Sequence, residues 1–353
     1  MRDVAVVSFA QSPPVRSDTI RNEVEILMPV VAEAIERSGI GRHDFGFTCS
    51  GSSDYLAGQP FAFVMALDAV GAWPPIAESH VEMDGAWALY EAWVRLQHGD
   101  IDSALVYAFG KSSLGDLRDV LTLQLDPYCV APLWPDAVDL AALQARAGLD
   151  AGVFSERDMA AVAVRSRRDA AANPNAQLRD PLSLDDALSG APTASPLRAH
   201  DCPPISDGAA AVVLAAGDLA RRVCERPAWI RGIDHRIEPA SLGARDLARS
   251  PSTALAARHA GLTAEAPPVE VAELHAPFSH QELILRDALA LGEGVAVSPS
   301  GGALTANPVM ATGLIRIGEA ARRIIDGTVR RALAHATSGP CLQQNLVCVL
   351  EAG

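Results

Sequence analysis

The sequence predicts a layered α/β fold made of two similar halves. Short apolar runs that suit buried strands alternate along the 353 residues with amphipathic segments that suit helices. A faint internal repeat points to duplication: residues 94–105 align with residues 322–333, and in both a helix ends at glycine and leads into a strand that begins Ala-Leu. The chain is also long enough for two fused halves around a large core.

The first half, predicted for residues 1–220, begins with a regular alternation of strands and helices. Its elements are a short apolar strand at 4–8, an amphipathic helix at 22–38, a strand at 45–49, a helix at 83–98 and a buried strand at 103–109. Turn residues mark the ends of two of these elements: Ser50-Gly-Ser-Ser follows the second strand, and Gly99-Asp100 stops the second helix.

From about residue 114 to residue 200 this rhythm breaks. Prolines, Leu/Ala-rich helices and the turn Asn173-Pro-Asn indicate an inserted loop domain. Regular structure resumes where Cys202-Pro-Pro-Ile-Ser-Asp-Gly enters the apolar run 209–216. The second half, 221–353, then contains strands at 228–233 and 269–274, helices at 251–260, 279–291 and 308–325, and strands at 331–337 and 345–350.

Composition excludes several classes of protein. The net charge of −14 argues against a nucleic-acid partner, and no apolar run approaches the ~18 residues of a membrane span. The six cysteines show no Cys-x-x-Cys pairing, so neither a metal site nor a disulfide framework is indicated. The N-terminus lacks a signal-peptide profile, and we expect a cytoplasmic protein.

A glycine-rich stretch near the C-terminus is the most informative motif. Ser298-Pro-Ser-Gly-Gly-Ala-Leu-Thr-Ala-Asn-Pro-Val-Met-Ala-Thr-Gly313 resembles the active-site loop of thiolases, whose usual form is Gly-Gly-x-x-x-x-Gly-His-Pro-x-Gly-Ala-Thr-Gly. The loop here is one residue shorter, and Asn307 stands where that family has its catalytic His.

Three further segments resemble the same superfamily, in the same order along the chain. They are Val81-Glu-Met-Asp-Gly-Ala-Trp-Ala-Leu with the helix and strand after it, the stretch from Glu156 through Asn173-Pro-Asn-Ala-Gln to Cys202-Pro-Pro-Ile-Ser-Asp-Gly-Ala-Ala-Ala, and Glu273-Leu-His-Ala-Pro-Phe-Ser-His-Gln-Glu-Leu. The chain is most similar in these segments to sterol-carrier-type thiolases and to actinobacterial lipid-transfer-protein paralogues. The resemblance implies two βαβαβ halves in a five-layered α-β-α-β-α arrangement with an inserted loop domain.

The resemblance places a carboxylate where thiolases have their nucleophile. Aligning Gly85 and Ala88 with Cys-x-x-Gly-x-x-Ala puts Glu82 at the Cys position, and a register two residues off puts Asp84 there. No cysteine lies between residues 49 and 129, so acyl-enzyme chemistry at this turn is not expected. The carboxylate is either a helix cap or a general base that accepts a proton from a substrate hydroxyl. A helix N-terminus lowers its pKa and burial raises it, and the sequence leaves that balance open.

His275 is the catalytic residue of the family that this chain keeps. It ends an apolar strand before a helix, where groups at strand ends face a ligand; the alternative is a strand-end histidine that is hydrogen-bonded for structure. Asn307 cannot exchange protons near neutral pH. Either its amide donates to a thioester oxygen, or it is a turn residue before Pro308. His280 is expected to be a capping or solvent-facing residue.

Four residues are expected to line the substrate: Gly301 and Gly302 of the loop, Phe278 after His275, and Gly339 of Ser338-Gly-Pro. The second cysteine of thiolases should fall near that last segment. Cys341 lies on the wrong side of the glycine, which favours a buried structural thiol. Tyrosine is another possible base, but Tyr55, Tyr90, Tyr107 and Tyr128 match no catalytic position of the family.

Three functions remain open. The first is a carbon–carbon lyase that cleaves a β-hydroxyacyl-CoA, of the kind that some nucleophile-lacking relatives perform on steroid side chains. The second is a non-catalytic subunit that supports an active paralogue. The third is an acyltransferase or thiolase. We expect no cofactor apart from the coenzyme A of the substrate, and either a homodimer or a heterotetramer with a zinc-ribbon/OB-fold partner protein.

Overall fold

The computed structural model of the protein describes residues 2–353. The first half contains β1 (Val4–Gln11), α1 (Glu23–Ser38), β2 (Phe47–Gly51), α2 (Asp54–Ala57), α3 (Ala62–Val70), β3 (Glu78–Val81), α4 (Gly85–His98) and β4 (Ser103–Lys111). The intervening segment contains α5 (Leu117–Leu123), α6 (Ala137–Asp150), α7 (Glu156–Ala170), α8 (Leu184–Ser189), β5 (Pro192–Ala194) and β6 (Leu197–Arg198). They are followed by β7 (Asp207–Ala216) and α9 (Gly217–Val223).

The second half repeats the alternation. It contains β8 (Ala228–Ile237), α10 (Pro251–His259), β9 (Val271–Leu274), α11 (Ser279–Ala288), β10 (Ala296–Val297), α12 (Thr312–Ile325), β11 (Arg331–Ser338) and β12 (Gln344–Glu351). Every strand and helix predicted for the two halves is present, with ends shifted by a few residues. The predicted helix 308–325 starts only at Thr312, because Met310 has φ +77° and a left-handed residue cannot continue a helix.

The strand order confirms the duplication. In the sheet the strands lie in the order β10-β9-β11-β12-β8-β1-β7-β4-β2-β3. Counted outward from the β8–β1 junction, each group of five has its first strand in the chain, then its fifth, fourth, second and third. The two groups join where β1 and β8 pair antiparallel, at Ala5 with Trp229 and Val6 with Ala228. The repeated helix–glycine–strand segments are α4 with β4 and α12 with β11, which occupy equivalent places. Gly99 and Gly327 end these helices at φ +82° and +72°, where glycine is favoured.

The five predicted layers are confirmed by the alternation of buried residues. Val4 and Val6 of β1 pack with α4 and α12, whereas Ala5 and Val7 face α1 and α3 on the other side. Strands of the second half also face α12 on one side, and on the other they pack with α10 and α11. The helices α4 and α12 therefore form a central layer between two sheet layers.

The inserted segment covers the outer face of the second half. Helix α6 and Phe154 and Met159 share a core with α11 and the end of β9. Among residues 2–353, no helix is both long and apolar enough to cross a membrane. The consequence for the site is that the strand end before His275 is enclosed by the insertion.

Candidate active site

The motif segments meet in space around the glycine-rich loop. The Asn173 side chain donates to the carbonyl of Ser300 at 2.8 Å, and the Asn307 N–H donates to the Ser206 hydroxyl at 3.0 Å. Both partners come from the second segment of the resemblance. The loop 298–313 is thus fixed by residues that lie more than a hundred positions earlier in the chain.

Asp84 links the two helices of the central layer. It is the N-cap of α4 and is 2% exposed. Its Oδ1 accepts from the N–H groups of Ala86 (2.8 Å) and Leu314 (3.1 Å), and its Oδ2 accepts from the N–H of Gly313 (2.8 Å). Burial raises the pKa of Asp84 to about 6, and these three hydrogen bonds oppose that rise. Burial therefore affects the pKa of Asp84 more than the hydrogen bonds from the two helix N-termini do. Asp84 acts as a cap shared by α4 and α12.

The backbone at the start of α4 touches the end of the glycine-rich loop. The Gly85 N–H donates to the Met310 carbonyl at 2.8 Å. A Cβ atom at Gly85 would lie 2.5 Å from the Cβ of Ala108 and 3.0 Å from that of Leu314. Only glycine allows β4 and α12 to approach the turn this closely.

Glu82 has different surroundings from Asp84. Its side chain is 47% exposed. Oε1 accepts from the Asp54 N–H at 2.7 Å, and Oε2 lies 3.4 Å from Nε2 of His80. Within the described residues 2–353, no hydrogen bond joins Glu82 to His275 or Asn307. Each oxygen of Glu82 has one partner and the half-exposed side chain can accept a further contact, whereas Asp84 is buried among three backbone N–H groups.

His275 and Asn307 form a buried polar pair. His275 is 7% exposed, and its Nδ1 accepts from the Thr337 N–H at 3.4 Å, which leaves the ring proton on Nε2. Burial lowers the pKa of His275 to about 3, helped by the nearby charges of His335 and Arg316. A hydrogen bond with the Asn307 side chain opposes this, as expected when the ring donates to the amide oxygen. The imidazole is therefore neutral at physiological pH.

Asn307 is oriented by a residue of α12. The Thr312 hydroxyl donates to Asn307 Oδ1 at 3.0 Å. Because the oxygen is occupied, the amide N–H groups of Asn307 are the donors that remain. Thr312 directly precedes Gly313, which binds Asp84, so the pair and the shared cap lie at the same end of α12.

The four residues expected to line the substrate fall in the backbone turns around this pair. Gly301, Gly302 and Gly339 have φ of +97°, +67° and +72°, and Phe278 is a buried residue at the start of α11. A Cβ atom at Gly301 would lie 2.7 Å from that of Ala170 on α7. These positions explain the glycines through backbone geometry, and their contact with a substrate stays a prediction.

Cys341 has the environment of a structural thiol. It is buried, its Sγ donates to the Leu140 carbonyl at 3.3 Å, and burial raises its pKa to about 11 against the opposing charge of Arg245. Since the thiolate is the nucleophile, a thiol that stays protonated is a poor one.

The expectation for His280 is wrong. The side chain is fully buried, with Nε2 3.2 Å from Oε1 of Gln144, and burial lowers its pKa to about 3. Gln144 belongs to α6 of the inserted segment. The local pattern around His280 cannot reveal a cover that comes from 136 positions away.

Two charged or polar groups near the site were not anticipated from the sequence. Glu273, two residues before His275, is fully buried and binds both Ser300 and Arg316. His80 lies on β3 and contacts Glu82, which directly follows that strand. The signal for Glu273 was an acidic residue inside an otherwise apolar strand; His80 had none, because β3 was not predicted.

Comparison with known proteins agrees with this architecture. No protein-family model matches the chain. It is similar to the acetyl-CoA acetyltransferase of Methanothermobacter thermautotrophicus, with 27% identity over an alignment of 364 positions, gaps included, that covers 93% of this chain and 94% of the relative. A stretch of 86 residues is 35% identical to the 17-hydroxy-3-oxo-4-pregnene-20-carboxyl-CoA lyase of Mycobacterium tuberculosis, covering 24% of this chain and 22% of that one.

A solved structure gives the same result over the whole chain. The Ltp2-ChsH2(DUF35) aldolase superposes with a TM-score of 0.81, covers 99% of this chain and 98% of its own, and is 19% identical. At that identity the likeness concerns the fold alone. The chain therefore has the thiolase fold, and its relatives support a place in the thiolase superfamily.

Proposed function

We propose that the protein is a carbon–carbon lyase that cleaves a β-hydroxyacyl-CoA by a retro-aldol reaction, without a covalent acyl-enzyme. The observation that carries this proposal is the turn before α4. Where thiolases have a nucleophilic Cys, this turn has the half-exposed Glu82 and the buried Asp84, while His275 is kept and pairs with Asn307, which replaces the loop His of that family. A site with a base and an oxyanion-binding pair, but no thiol, suits a reaction that needs no acyl transfer.

Each residue has a defined part in the proposed reaction. Glu82 accepts the proton of the β-hydroxyl group, the Cα–Cβ bond breaks, and its electron pair moves into the thioester as an enolate. The Asn307 amide donates hydrogen bonds to the enolate oxygen, and the neutral His275 ring holds that amide in place by donating to its oxygen. The proton on Glu82 then returns to Cα, and a carbonyl compound and a shortened acyl-CoA leave. Asp84 keeps the helix N-termini aligned, since its oxygens are already occupied.

The relatives support the reaction class and suggest a substrate. One is a lyase of 17-hydroxy-3-oxo-4-pregnene-20-carboxyl-CoA, and the similar solved structure is an aldolase complex with a second protein, ChsH2. We extend this to a steroid or lipid side chain as the acyl group, to coenzyme A as part of the substrate without another cofactor, and to a homodimer or a heterotetramer with a zinc-ribbon/OB-fold protein.

The test is turnover of a defined thioester. Purified protein, alone and with a zinc-ribbon/OB-fold partner, is incubated with 17-hydroxy-3-oxo-4-pregnene-20-carboxyl-CoA and with a straight-chain β-hydroxyacyl-CoA, and products are followed by mass spectrometry. We expect cleavage, and we expect Glu82→Gln and His275→Ala each to lower kcat by about 10²-fold or more. Glu91→Gln, an exposed glutamate on α4, is the control. Full activity in both site variants would refute the assignment, and absence of cleavage under all conditions would favour a non-catalytic subunit.

The acyltransferase remains the second candidate, because the relative that spans 93% of this chain is an acetyl-CoA acetyltransferase. Such an activity here would require Cys341, whose thiol is buried and protonated. Loss of acetoacetyl-CoA formation in Cys341→Ala, with no retro-aldol products in the unmodified protein, would establish it. We expect no acetyl transfer in either protein.

A further inference from the structure

A hydrogen-bonded chain of three side chains leads from the sheet interior to Glu82. Strands β2 and β3 pair so that Ser50 lies opposite His80. The Ser50 hydroxyl is 3.1 Å from His80 Nδ1, and His80 Nε2 is 3.4 Å from Glu82 Oε2. Ser50 is fully buried, the His80 side chain is 15% exposed and that of Glu82 is 47% exposed. The three hydrogen-bonded side chains therefore run from the sheet interior to the surface, and the last of them is the residue that aligns with the thiolase nucleophile.

The imidazole of His80 is held in one orientation. The ring of Phe63 stacks on it with centroids 4.5 Å apart and planes inclined by 13°. The other carboxylate oxygen of Glu82 is fixed by the Asp54 N–H at the start of α2. Both oxygens of Glu82 thus have a directed partner, although the residue directly follows the outermost strand of the sheet and its side chain is half-exposed.

The chemistry of the three groups determines the ring tautomer. An ionised Glu82 only accepts hydrogen bonds, so His80 must carry its proton on Nε2. Nδ1 then accepts from the Ser50 hydroxyl. Ser50 cannot be a nucleophile, because it is fully enclosed. A hydrogen bond donated to a carboxylate favours its charged form, which is the form a general base needs.

We propose that His80 is the positioning residue of Glu82: its Nε2–H donates to Oε2 and orients the carboxylate toward the substrate hydroxyl. This rests on the proposed function, since it gives Glu82 the role of base. The other titratable groups that face the chain are Glu78 on β3, Tyr107 on β4 beside Ser50, and Asp54 on α2. None of them changes in the variants below.

Kinetics with three variants test the role. In His80→Phe the donor to Glu82 Oε2 is lost, and we expect kcat for the pregnene-carboxyl-CoA thioester to fall by at least about 10-fold with little change in KM. His80→Gln retains an N–H donor and should recover most of the activity, and His98→Gln, an exposed histidine at the end of α4, should match the unmodified protein.

A measurement without substrate separates this inference from the proposed function. Nitrogen NMR of the His80 ring should show the Nε2–H tautomer at neutral pH, and Glu82→Gln should change the nitrogen chemical shifts of that ring. Unchanged ring shifts in Glu82→Gln, or an unchanged kcat in a folded His80→Phe protein, overturn the inference even if the enzyme cleaves its substrate. If the ring responds but no thioester is cleaved, the proposed function fails and the His80–Glu82 pairing stands.

Discussion

Two carboxylates stand two residues apart in the turn before α4, and the structure gives them opposite environments. Glu82 is half-exposed and has one side open to a ligand, whereas Asp84 is enclosed by the N–H groups of two helices. The sequence predicted a carboxylate at this turn but left open which of the two it was, because one register shift exchanges them. The two carboxylates differ in burial, because α12, whose Gly313 lies 229 positions after Asp84, packs against Asp84.

The raised pKa of Asp84 predicts a pH dependence of stability. The folded pKa of about 6 exceeds the ordinary value of 3.8, so the folded protein holds a proton that the unfolded chain releases between these values. This contribution is complete below the unfolded pKa and is lost as pH rises through about 6, a loss of about 3 kcal/mol in the free energy of unfolding. Asp84→Asn should remove this slope.

Urea unfolding between pH 4 and pH 7 measures the effect. The difference between the unmodified protein and Asp84→Asn should change with pH in that window, while Asp68→Asn, an exposed aspartate on α3, should keep the slope of the unmodified protein. Parallel curves for all three proteins would mean that Asp84 is ionised throughout.

At the scale of elements, a buried charge network ties β9, the glycine-rich loop and α12 together. The Ser300 hydroxyl donates to Glu273 at 2.6 Å, and Arg316 Nη1 donates to Glu273 at 3.1 Å and to Ser300 at 2.6 Å. Arg323 adds a second ion pair to Glu273 at 3.3 Å. The strand that ends at His275 and the loop that carries Asn307 are thereby held in a fixed relation.

Breaking this network should destabilise the protein strongly. Glu273→Gln leaves Arg316 buried without its full counter-charge, and we expect a loss of about 3–5 kcal/mol in the free energy of unfolding. Denaturant unfolding checks the value, with the exposed Glu265→Gln as the control. A loss below about 1 kcal/mol would mean that neighbouring acids such as Glu319 replace the missing charge.

Most of these elements follow from local sequence patterns, whereas the contacts of the site do not. Strands and helices such as 103–109 and 22–38 were predictable because their period and apolar content are local properties. The segment containing α2, α3 and β3 was missed, since its elements are short and interrupted by glycine and proline. The site is less predictable: His275 and Asn307 lie in recognisable motifs, but the contacts of His80, Glu273 and His280 depend on partners far away in the chain.

The whole molecule depends on a central layer that belongs to both halves. Gly318 of α12 lies directly against the ring of Phe9 on β1, and a Cβ atom there would collide with the ring. A helix of the second half thus packs on a strand of the first with no space between them. We infer that the two halves unfold together rather than as independent units.

Overpacking this contact tests that inference. Gly318→Ala should lower the free energy of unfolding by about 1–3 kcal/mol, and hydrogen exchange in β4 and β11 should accelerate equally. Gly190→Ala, where a Cβ atom meets nothing within 4 Å, is the control. Protection lost from only one of the two strands would show that the halves unfold separately.

The shared cap at Asp84 also breaks the internal symmetry of the protein. In the second half the matching N-cap is Ala311, which has no side chain able to cap α12. The second half therefore relies on a residue of the first for the start of its own central helix. The dependence runs in one direction: as a separate chain the first half would keep its own cap at Asp84, whereas the second would begin its central helix without a side-chain cap.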